Sequence, residues 1–567
     1  MKKLITTGQA MCSIAVILVM VLIFGCKPPT GPGNLTYESG TGEPDTDWDG
    51  SILIIRNPDE LAQLAVLVNG GNNFSGKTIT LEANLDLSKY GVASGYNSSK
   101  GWIPIGRVGT FTGVFNGKNK TIKGLSIKAD SDYLGLFGNV GSGGTVKNLT
   151  LQGVSITVTG DNNWYIGGLV GYNDDGTLEG CTSSGSVSVE GTGFNIGGLV
   201  GWNSGDLDTC SSSATVSVTG ADSANIGGLV GCNNGGFLDR CSASGSVTAT
   251  GDNNYHIGGI VGYNEGTLEG CTSSGTVTAT GDNNSCIGGV AGWHTGTLEG
   301  CSSSATVTAT GADSARIGGI VGYNEGDFYT SHASGNVSGA SEVGGVVGLN
   351  VGTVENSYYS GGTVSATGSN AGGVVGHNVG DVYRCYAAGT VTGYGNVGGV
   401  AGYNTDTVEQ CYATCTVTAT GAGIGAAGGV VGLNDIGAMV SDCYATCTVT
   451  ATGAGSGAVG GVAGGNMGTV QRCYATGSVS GGDGIGGIVG VNFDTVGYCV
   501  ALNASVTAAP TSAAWRATTP ARWPATSAGT ACPAAPGRTL PITVRRCKPV
   551  PAQASSITRK RSGENRR

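Results

Sequence analysis

Aromatic rings recur at the seventh position of an eight-residue motif, and they are the first side chains in this sequence that could do chemistry. They are Tyr172, Trp202, Tyr263, Trp293, Tyr323 and Tyr403. An exposed column of rings can stack on sugars and bind a glycan. A covered column instead packs ring against ring and stabilises the chain. The sequence leaves both interpretations open, so these six residues form a candidate glycan-stacking ladder.

Cysteine recurs once per repeat and forms a second candidate set. Its members are Cys181, Cys210, Cys241, Cys271, Cys301, Cys385, Cys411, Cys443, Cys473 and Cys499, with Ser331 and Ser357 in the same slot. Exchange with serine favours a column of small buried side chains. Disulfides between neighbouring repeats are the alternative, because adjacent strands lie within bridging distance. Without a C-x-x-C pair or a flanking histidine, we expect no metal and no cofactor.

Acidic residues also recur, but in patterns that predict no catalytic site. One slot holds Glu179, Glu269 and Glu299, which is typical of a solvated row rather than a paired acid and base. The turns at 161–163, 252–254 and 282–284 each read Asp-Asn-Asn. Calcium binding is the functional alternative there, although Asp and Asn favour turns for backbone reasons. None of the four histidines belongs to an H-E-x-x-H pair, so we expect no catalytic residues.

All these residues are positioned by a repeat that first reads Ile-Gly-Gly-Leu-Val-Gly-Tyr-Asn at 166–173. It restarts at Ile196, Ile226, Ile257, Ile287, Ile317, Val343, Ala371, Val397, Ala427, Val459 and Ile485, in steps of 26 to 32 residues. This period indicates a solenoid. Short runs rich in Val, Thr and Ile between Gly, Asn and Asp turns predict strands. We therefore predict an all-β fold, a parallel β-helix with three strands of about five residues per rung.

The eighth motif position is asparagine in every copy except one, which has His294. The asparagines are Asn173, Asn203, Asn233, Asn264, Asn324, Asn350, Asn378, Asn404, Asn434, Asn466 and Asn492. An amide at one corner of every rung can donate to one neighbour and accept from the other. These residues are therefore predicted to form a structural asparagine ladder.

Residues 52–160 are predicted to form an N-terminal cap and irregular first rungs. Asn57, Pro58 and Glu60 are a helix start with a side-chain cap, and Gly70 ends the helix. Leu61, Leu64, Ala65 and Val68 fall on one face of it. Such a helix shields the first strand from edge pairing.

The Gly-Gly-Leu-Val-Gly core, the asparagine after it and the lead-in Gly-Leu-Phe-Gly at 135–138 resemble the GLUG-motif repeats of bacterial surface proteins. The resemblance covers residues 52 to 500. Such repeats also accompany IgA-type metallopeptidase domains, but this sequence has no peptidase motif. The resemblance implies a secreted, surface-displayed β-helical region.

Residues 1–26 read as a lipoprotein signal peptide. Lys2 and Lys3 precede an apolar run that is too short to span a bilayer, and Ile-Phe-Gly-Cys at 23–26 resembles a lipobox. Cys26 is the expected lipidation site, and residues 27–51 would be a tether. The chain is therefore expected to be exported and lipid-anchored to the bacterial envelope, where it would be exposed on the surface of the outer membrane. An ordinary cleaved signal peptide is the alternative.

The repeat stops near residue 509, and residues 510–567 form a basic tail rich in Pro, Ala and Arg. The tail holds eleven of the 28 Lys and Arg but one of the 38 Asp and Glu, so the rest of the chain is strongly acidic. An acidic solenoid argues against nucleic-acid partners. Read one register over, permitted codons for 511–523 encode I-G-G-V-A-G-Y-N-T-G-T-V. Trp515 and Trp523, with one codon each, both fall on a required valine, so we predict a frameshift near codon 510.

Together these features predict a surface-displayed, lipid-anchored β-solenoid, with repeats over 161–509, that acts in adhesion or ligand binding without catalysis. Its expected partners are the membrane, through the lipid anchor, and a glycan or a host or matrix protein. One alternative is a carbohydrate-active β-helix, a polysaccharide hydrolase or lyase. A structural spacer is the other.

Overall fold

The computed structural model describes residues 52–422, 425–453 and 457–508. The signal segment 1–26 with Cys26, the tether 27–51 and the tail 510–567 lie outside the described residues. Within the described ranges, no helix has both the length and the apolar character needed to cross a membrane.

The Ile-Gly-Gly motif forms a corner at which the chain passes between two sheets. The side chain of Ile317 is buried in the core, and the next strand begins at Val321. A Cβ on Gly318 would overlap the carbonyl oxygen of Val321. A Cβ on Gly319 would overlap the carbonyl of Gly345 in the next rung. The two glycines are therefore required because backbone approaches them from within the rung and from its neighbour.

Three parallel sheets run the length of the described solenoid. Sheet II precedes the glycine corner and has 12 strands in the part of the chain that the structure describes. Its strands are Asn163–Gly167, Gly193–Gly197, Ala224–Gly227, Tyr255–Gly258, Ser285–Gly288, Ala315–Gly318, Ser341–Gly344, Ala371–Gly372, Val397–Gly398, Ala427–Gly428, Ala458–Gly460 and Gly484–Gly486.

Sheet III follows the corner and carries the motif asparagines. Over the described ranges it has 13 strands. They are Phe137–Val140, Val170–Asn173, Val200–Asn203, Val230–Asn233, Val261–Asn264, Ala291–His294, Val321–Asn324, Val347–Asn350, Val375–Asn378, Ala401–Asn404, Val431–Asn434, Ala463–Asn466 and Val489–Asn492.

Sheet I covers the rest of each rung in three tracks. Track 1 comprises Thr177–Glu179, Asp206–Asp208, Phe237–Asp239, Thr267–Glu269, Thr297–Glu299, Asp327–Tyr329, Thr353–Glu355, Asp381–Tyr383, Thr407–Glu409, Met439–Ser441, Thr469–Gln471 and Thr495–Gly497. Track 2 comprises Ser211–Ser212, Ser242–Ala243, Thr272–Ser273, Ser302–Ser303, His332–Ala333, Tyr358–Tyr359, Tyr386–Ala387, Tyr412–Ala413, Tyr444–Ala445, Tyr474–Ala475 and Val500–Ala501. Track 3 comprises Thr215–Val218, Ser246–Ala249, Thr276–Ala279, Thr306–Ala309, Val337–Gly339, Thr363–Ala366, Thr390–Gly393, Thr416–Ala419, Thr448–Ala451, Val479–Gly481 and Val506–Ala508. Strand Thr182–Val189 spans tracks 2 and 3.

The N-terminal region joins the same sheet, so sheet I is continuous across residue 160. Its strands there are Ile52–Ile55, Thr78–Leu81, Leu85–Asp86, Val114–Lys123, Ser126–Ala129 and Thr145–Val158. Two 3₁₀ turns, Ser88–Tyr90 and Val92–Ser94, and a short helix, Tyr96–Ser99, connect them.

The capping helix is present as α1, Pro58–Asn69. The Asn57 side chain accepts hydrogen bonds from the backbone N–H groups of Asp59 and Glu60, each at 3.0 Å. Glu60 binds the Asn57 side-chain amide and the backbone N–H of Arg56, rather than the backbone N–H of Asn57. The apolar face, from Leu61 to Val68, is buried in the same core as the rungs. This confirms a short N-terminal capping helix.

One hydrophobic core runs through the described solenoid from Leu53 to Val479. Identical residues stack in register: Val277 pairs with Val307, and Leu268 with Leu298. The fold is therefore an all-β parallel solenoid, as predicted. The prediction of three strands per rung is wrong, however: residues 255–279 contain five strands of two to four residues. The glycine corner and left-handed turns such as Gly270 (φ 61°) divide the longer segments.

The last described rung is exposed, unlike the rungs before it. Its core-facing Val506 is 42% exposed, whereas Val479, which pairs with Val506 in the preceding rung, is fully buried.

Candidate functional site

The motif asparagines form a buried, hydrogen-bonded column on sheet III. Asn233 Nδ2 donates to Asn264 Oδ1 at 2.8 Å and to the carbonyl of Gly236 at 2.9 Å, which uses both amide hydrogens. The same side-chain contact, at 2.7 to 2.9 Å, joins the pairs 173–203, 203–233, 324–350, 350–378, 378–404, 404–434, 434–466 and 466–492. The column thus fixes the register between rungs.

The ten repeated cysteines form an interior column of free thiols. Each Sγ donates to a backbone carbonyl of the preceding rung, as Cys181 does to Val146 at 3.4 Å and Cys411 to Val382 at 3.5 Å. Burial raises the pKa of the Cys411 and Cys443 thiols well above the ordinary value. Of the two alternatives that the sequence left open, the structure has the free form. The raised pKa makes Cys411 and Cys443 poor nucleophiles.

The first of the seventh-position aromatics lie in a covered cluster rather than on an open ladder. Tyr172 stacks on Trp202 with ring centroids 4.4 Å apart and planes 13° apart. Tyr165, from the strand before the corner, lies edge-on to Tyr172 at 5.1 Å. Trp202 is 6% exposed. Cys232 occupies the same position in the next rung and ends this run of rings.

A second cluster surrounds Trp293, which meets His256 edge-on at 4.8 Å and Tyr323 at 4.6 Å. Tyr263 is half-buried beside them. The Arg316 guanidinium lies over the Tyr323 ring, 5.3 Å from its centroid.

Charged side chains close this cluster. Arg316 Nε lies 3.5 Å from one Glu342 oxygen, and His377 Nδ1 lies 3.1 Å from the other. Burial alone raises the pKa of Glu342, but the His377 hydrogen bond and the Arg316 charge outweigh it and hold the pKa below its usual value.

The last of the six, Tyr403, is half-buried against His377, and its hydroxyl donates to Asp435. Leu349 and His377 interrupt the column between Tyr323 and Tyr403. The ring faces are thus occupied by protein neighbours, which favours the structural interpretation of these aromatics.

The Asp-Asn-Asn turns are held by backbone contacts. Asp252 Oδ1 accepts from the backbone N–H of Asp282 in the next rung, and Asp282 Oδ1 accepts from that of Ala312, each at 2.8 Å. Asn253 and Asn283 are left-handed, with φ of 56°. The side chains therefore serve the turn geometry. Glu179, Glu269 and Glu299 are exposed along track 1.

Track 2 carries an open groove of about 500 Å³ over the first rungs. Its lining side chains are uncharged: Thr121, Thr150, Leu151, Gln152, Thr182, Ser183, Ser184, Ser211, Ser212, Ser213, Ser242 and Ser244. Thr182, Ser211 and Ser242 occupy the same position in successive rungs and are half-exposed. The groove therefore offers a row of hydroxyl groups that both donate and accept hydrogen bonds.

Further along the same track, the hydroxyls are replaced by a stack of rings. His332, Tyr358, Tyr386, Tyr412, Tyr444 and Tyr474 lie with centroids 4.7 to 5.0 Å apart and planes within 8° of parallel. Most are half-exposed, and Tyr474 is 40% exposed. The stack is the continuous aromatic surface that the seventh motif position does not provide.

Sequence reasoning missed both features, although a signal was present. Cys-Tyr-Ala recurs at 385–387, 411–413, 443–445 and 473–475, directly after the cysteine column. In earlier repeats the same place after cysteine holds Ser or Thr, as at Ser211 and Thr272. Comparing that place between the two halves of the repeat array would have revealed a hydroxyl half and an aromatic half.

This fold and these columns define a parallel β-solenoid built from glycine-rich repeats, with an external groove and ring stack. Three segments of the repeat region match the family model described as "The GLUG motif", at residues 162–188, 253–278 and 283–308.

Two curated proteins are similar to part of this chain. The chain is 38% identical over 146 residues to "Halomucin" of Haloquadratum walsbyi, which covers 25% of this chain and 2% of that protein. It is 36% identical over 117 residues to a "Putative Gly-rich membrane protein" of Evansella cellulosilytica, which covers 20% of this chain and 13% of that one. The chain thus spans a small part of the length of the curated relatives it matches.

A solved structure, described as a "putative immunoglobulin A1 protease" from Bacteroides ovatus, aligns over 71% of this chain and 77% of its own. The sequence identity is 16% and the TM-score is 0.17, so this likeness carries no argument about fold or activity.

Proposed function

We propose that this protein is a surface-displayed β-solenoid, anchored by a lipid on Cys26, that binds a ligand or mediates adhesion without catalysing a reaction. The observation that carries the proposal is the outer face of track 2. A spacer needs interior columns that hold the rungs together, and the asparagine and cysteine columns already do this. An open groove followed by an exposed stack of rings is a binding surface beyond that need.

The envelope location is supported from two directions. Residues 23–26 match the end of a lipoprotein signal, and the names of the two relatives refer to a mucin and to a membrane protein. An acidic, glycine-rich solenoid with few cations is also soluble and repels its own copies when displayed densely.

The anchor is tested by producing the full chain in a bacterium that processes lipoproteins, with labelled palmitate in the medium. We expect label in the wild-type chain and none in Cys26→Ala, which should be released from the membrane. Cleavage by protease added to intact cells tests surface display. An unlabelled wild-type chain contradicts the anchor, and protection on intact cells contradicts display.

Binding is tested with the same cells and a panel of fluorescent polysaccharides and matrix proteins. Cells producing the Cys26→Ala chain, which should not display it, are the matched control. We expect at least one panel member to be retained by the wild-type cells alone. Equal retention of every panel member by the two cell types contradicts a binding function.

A further inference from the structure

We infer that the groove on track 2 binds a segment of a neutral, linear polysaccharide that runs along the solenoid towards His332. This inference rests on the proposed binding function and names its ligand class and its site. The groove and the ring stack are two halves of one column of residues. Thr150, Thr182, Ser211, Ser242, Thr272, Ser302, His332 and Tyr358 pair in that order, rung to rung.

The groove is therefore the continuation of the stack without its rings. Rungs lie about 4.8 Å apart, which is close to the stacking distance of two flat rings. Where the tyrosine rings stand in later rungs, the first rungs have hydroxyl groups and empty space. A chain of pyranose rings laid in this space would put about one sugar unit on each rung, because a sugar unit in an extended β-linked glycan is about as long as a rung is high.

His332 gives the ligand an aromatic platform three rungs beyond Ser242, the last rung of the groove lining. One face of its ring is stacked on Tyr358, at 4.9 Å and 8°. On the opposite side, His332 pairs with Ser302, which has no ring. The C–H face of the sugar unit that ends the bound segment could cover that side of the imidazole, as the Tyr358 ring covers the other.

The uncharged lining of the groove favours a neutral polymer. The lining has hydroxyls, an amide and methyl groups but no ionised side chain. Track 1, one corner away, presents Glu179, Asp208 and Asp239 in consecutive rungs, with Arg240 paired to the two aspartates. Lys147, which pairs with Glu179 in the preceding rung, and Arg240 offset much of this negative charge. The preference for a neutral polymer therefore rests on the uncharged lining. Neutral sugars meet hydroxyl donors and acceptors there at a regular spacing.

The experiment fills the groove with tyrosine, the residue that occupies the same position in later rungs. In the full chain, Ser211→Tyr and Ser242→Tyr are combined, since tyrosine already occupies this position in five later rungs. The matched control combines Thr276→Tyr and Thr306→Tyr, which add the same rings to exposed positions on track 3 of the same sheet. His332→Ala tests the platform. Affinity is measured for soluble neutral β-glucans, mannans and xyloglucan, with polygalacturonate as the acidic comparison.

We expect one neutral polymer to bind, a loss of at least tenfold in the groove-filled variant, and less than a twofold change in the control. His332→Ala should weaken binding by about threefold to tenfold. Binding that is unchanged in the groove-filled variant overturns the site but leaves the proposed binding function standing. Binding of polygalacturonate in preference to every neutral polymer overturns the ligand class. Failure of the wild-type chain to bind any polymer or protein of the panel overturns the proposed function itself.

Discussion

Asn324 Oδ1 is buried without a hydrogen-bond donor because His294 stands in the preceding rung, where the motif elsewhere has asparagine. Asn264 Nδ2 is 2.9 Å from His294 Nδ1, so that ring nitrogen accepts. The other ring nitrogen, Nε2, lies 3.3 Å from the carbonyl of Asp327 and donates to it. The imidazole thus has no hydrogen left for Asn324, and the ladder is broken at this one step.

His294→Asn should therefore stabilise the protein. The new amide can accept from Asn264 and donate to Asn324, as in the other rungs, which removes a buried unsatisfied acceptor worth about 1–3 kcal/mol. Urea denaturation at pH 7 measures the change. Asn404→Ala, which leaves Asn378 and Asn434 without their partner, should be destabilising by a similar or larger amount. A fall in stability for His294→Asn would contradict the account of the broken ladder.

The same histidine should make the protein sensitive to mild acid. Burial lowers the pKa of His294 from 6.5 to about 4, so below pH 6.5 the unfolded chain takes up a proton that the folded chain does not. The free energy of unfolding should have its full value above pH 6.5 and should decrease as the pH drops towards 4. At pH 5 the loss should be about 2 kcal/mol.

His256 adds to this effect, because burial lowers its pKa to about 3. Unfolding free energies of the wild-type chain and of His294→Asn, measured between pH 7 and pH 4, separate the two contributions. The difference between the two proteins should grow as the pH falls through 6.5 to 4. A constant difference would mean that His294 does not titrate on unfolding.

Gly318→Ala tests the corner. The added Cβ would overlap the carbonyl of Val321 within the corner, so the backbone would have to move. We therefore expect the free energy of unfolding to fall by at least about 3 kcal/mol, or the chain not to fold. Gly361→Ala is the matched control, since nothing lies within 4 Å of its added Cβ and its φ is not positive. It should change stability by less than about 1 kcal/mol. Equal effects would remove the steric explanation of the motif.

Cys411→Ser should cost little, about 1 kcal/mol, because serine already fills this slot at Ser331 and Ser357 and donates there to a carbonyl. Cys411→Leu should be much more costly, since the column has no room for a larger side chain. Thermal denaturation compares the two. The buried thiols of the column should also react with a thiol reagent only after denaturation, because the reagent cannot reach them in the folded chain.

The interior of this fold was predictable because its residues repeat by identity. Apart from Asn492 and Cys499 in the exposed last rung, each Asn of the motif and each Cys of the column occupies an equivalent environment, so one periodic pattern indicates both the period and the register. The helix α1 was predictable because Asn57, Pro58 and Gly70 are local signals. The number of strands was not predictable, because strand breaks depend on left-handed corners that Thr209, Arg240 and Gly270 adopt alike despite their different side chains.

The exposure of the aromatic rings could also not be predicted from the sequence pattern. The residue before the first position of the motif is left-handed in the first eight copies, as at Tyr165, His256 and Arg316. That conformation brings its side chain against the seventh-position ring, which lies seven residues later in the chain. The residue types at this position vary, so no periodic signal marks it. The tyrosines of track 2 remain at the surface because side chains alternate along a strand, and it is the next residue, such as Ala387 or Ala413, that points into the core.

Register between neighbouring rungs has a consequence for the gene as well as for the protein. Because Thr276, Val277 and Ala279 pair with the same residue types in the next rung, any two repeats of this region can be neighbours. Unequal recombination between such near-identical stretches of DNA adds or deletes whole rungs and keeps every column aligned. The reach of the molecule, and the number of sites along its groove, can therefore change in single genetic events without a new fold having to evolve.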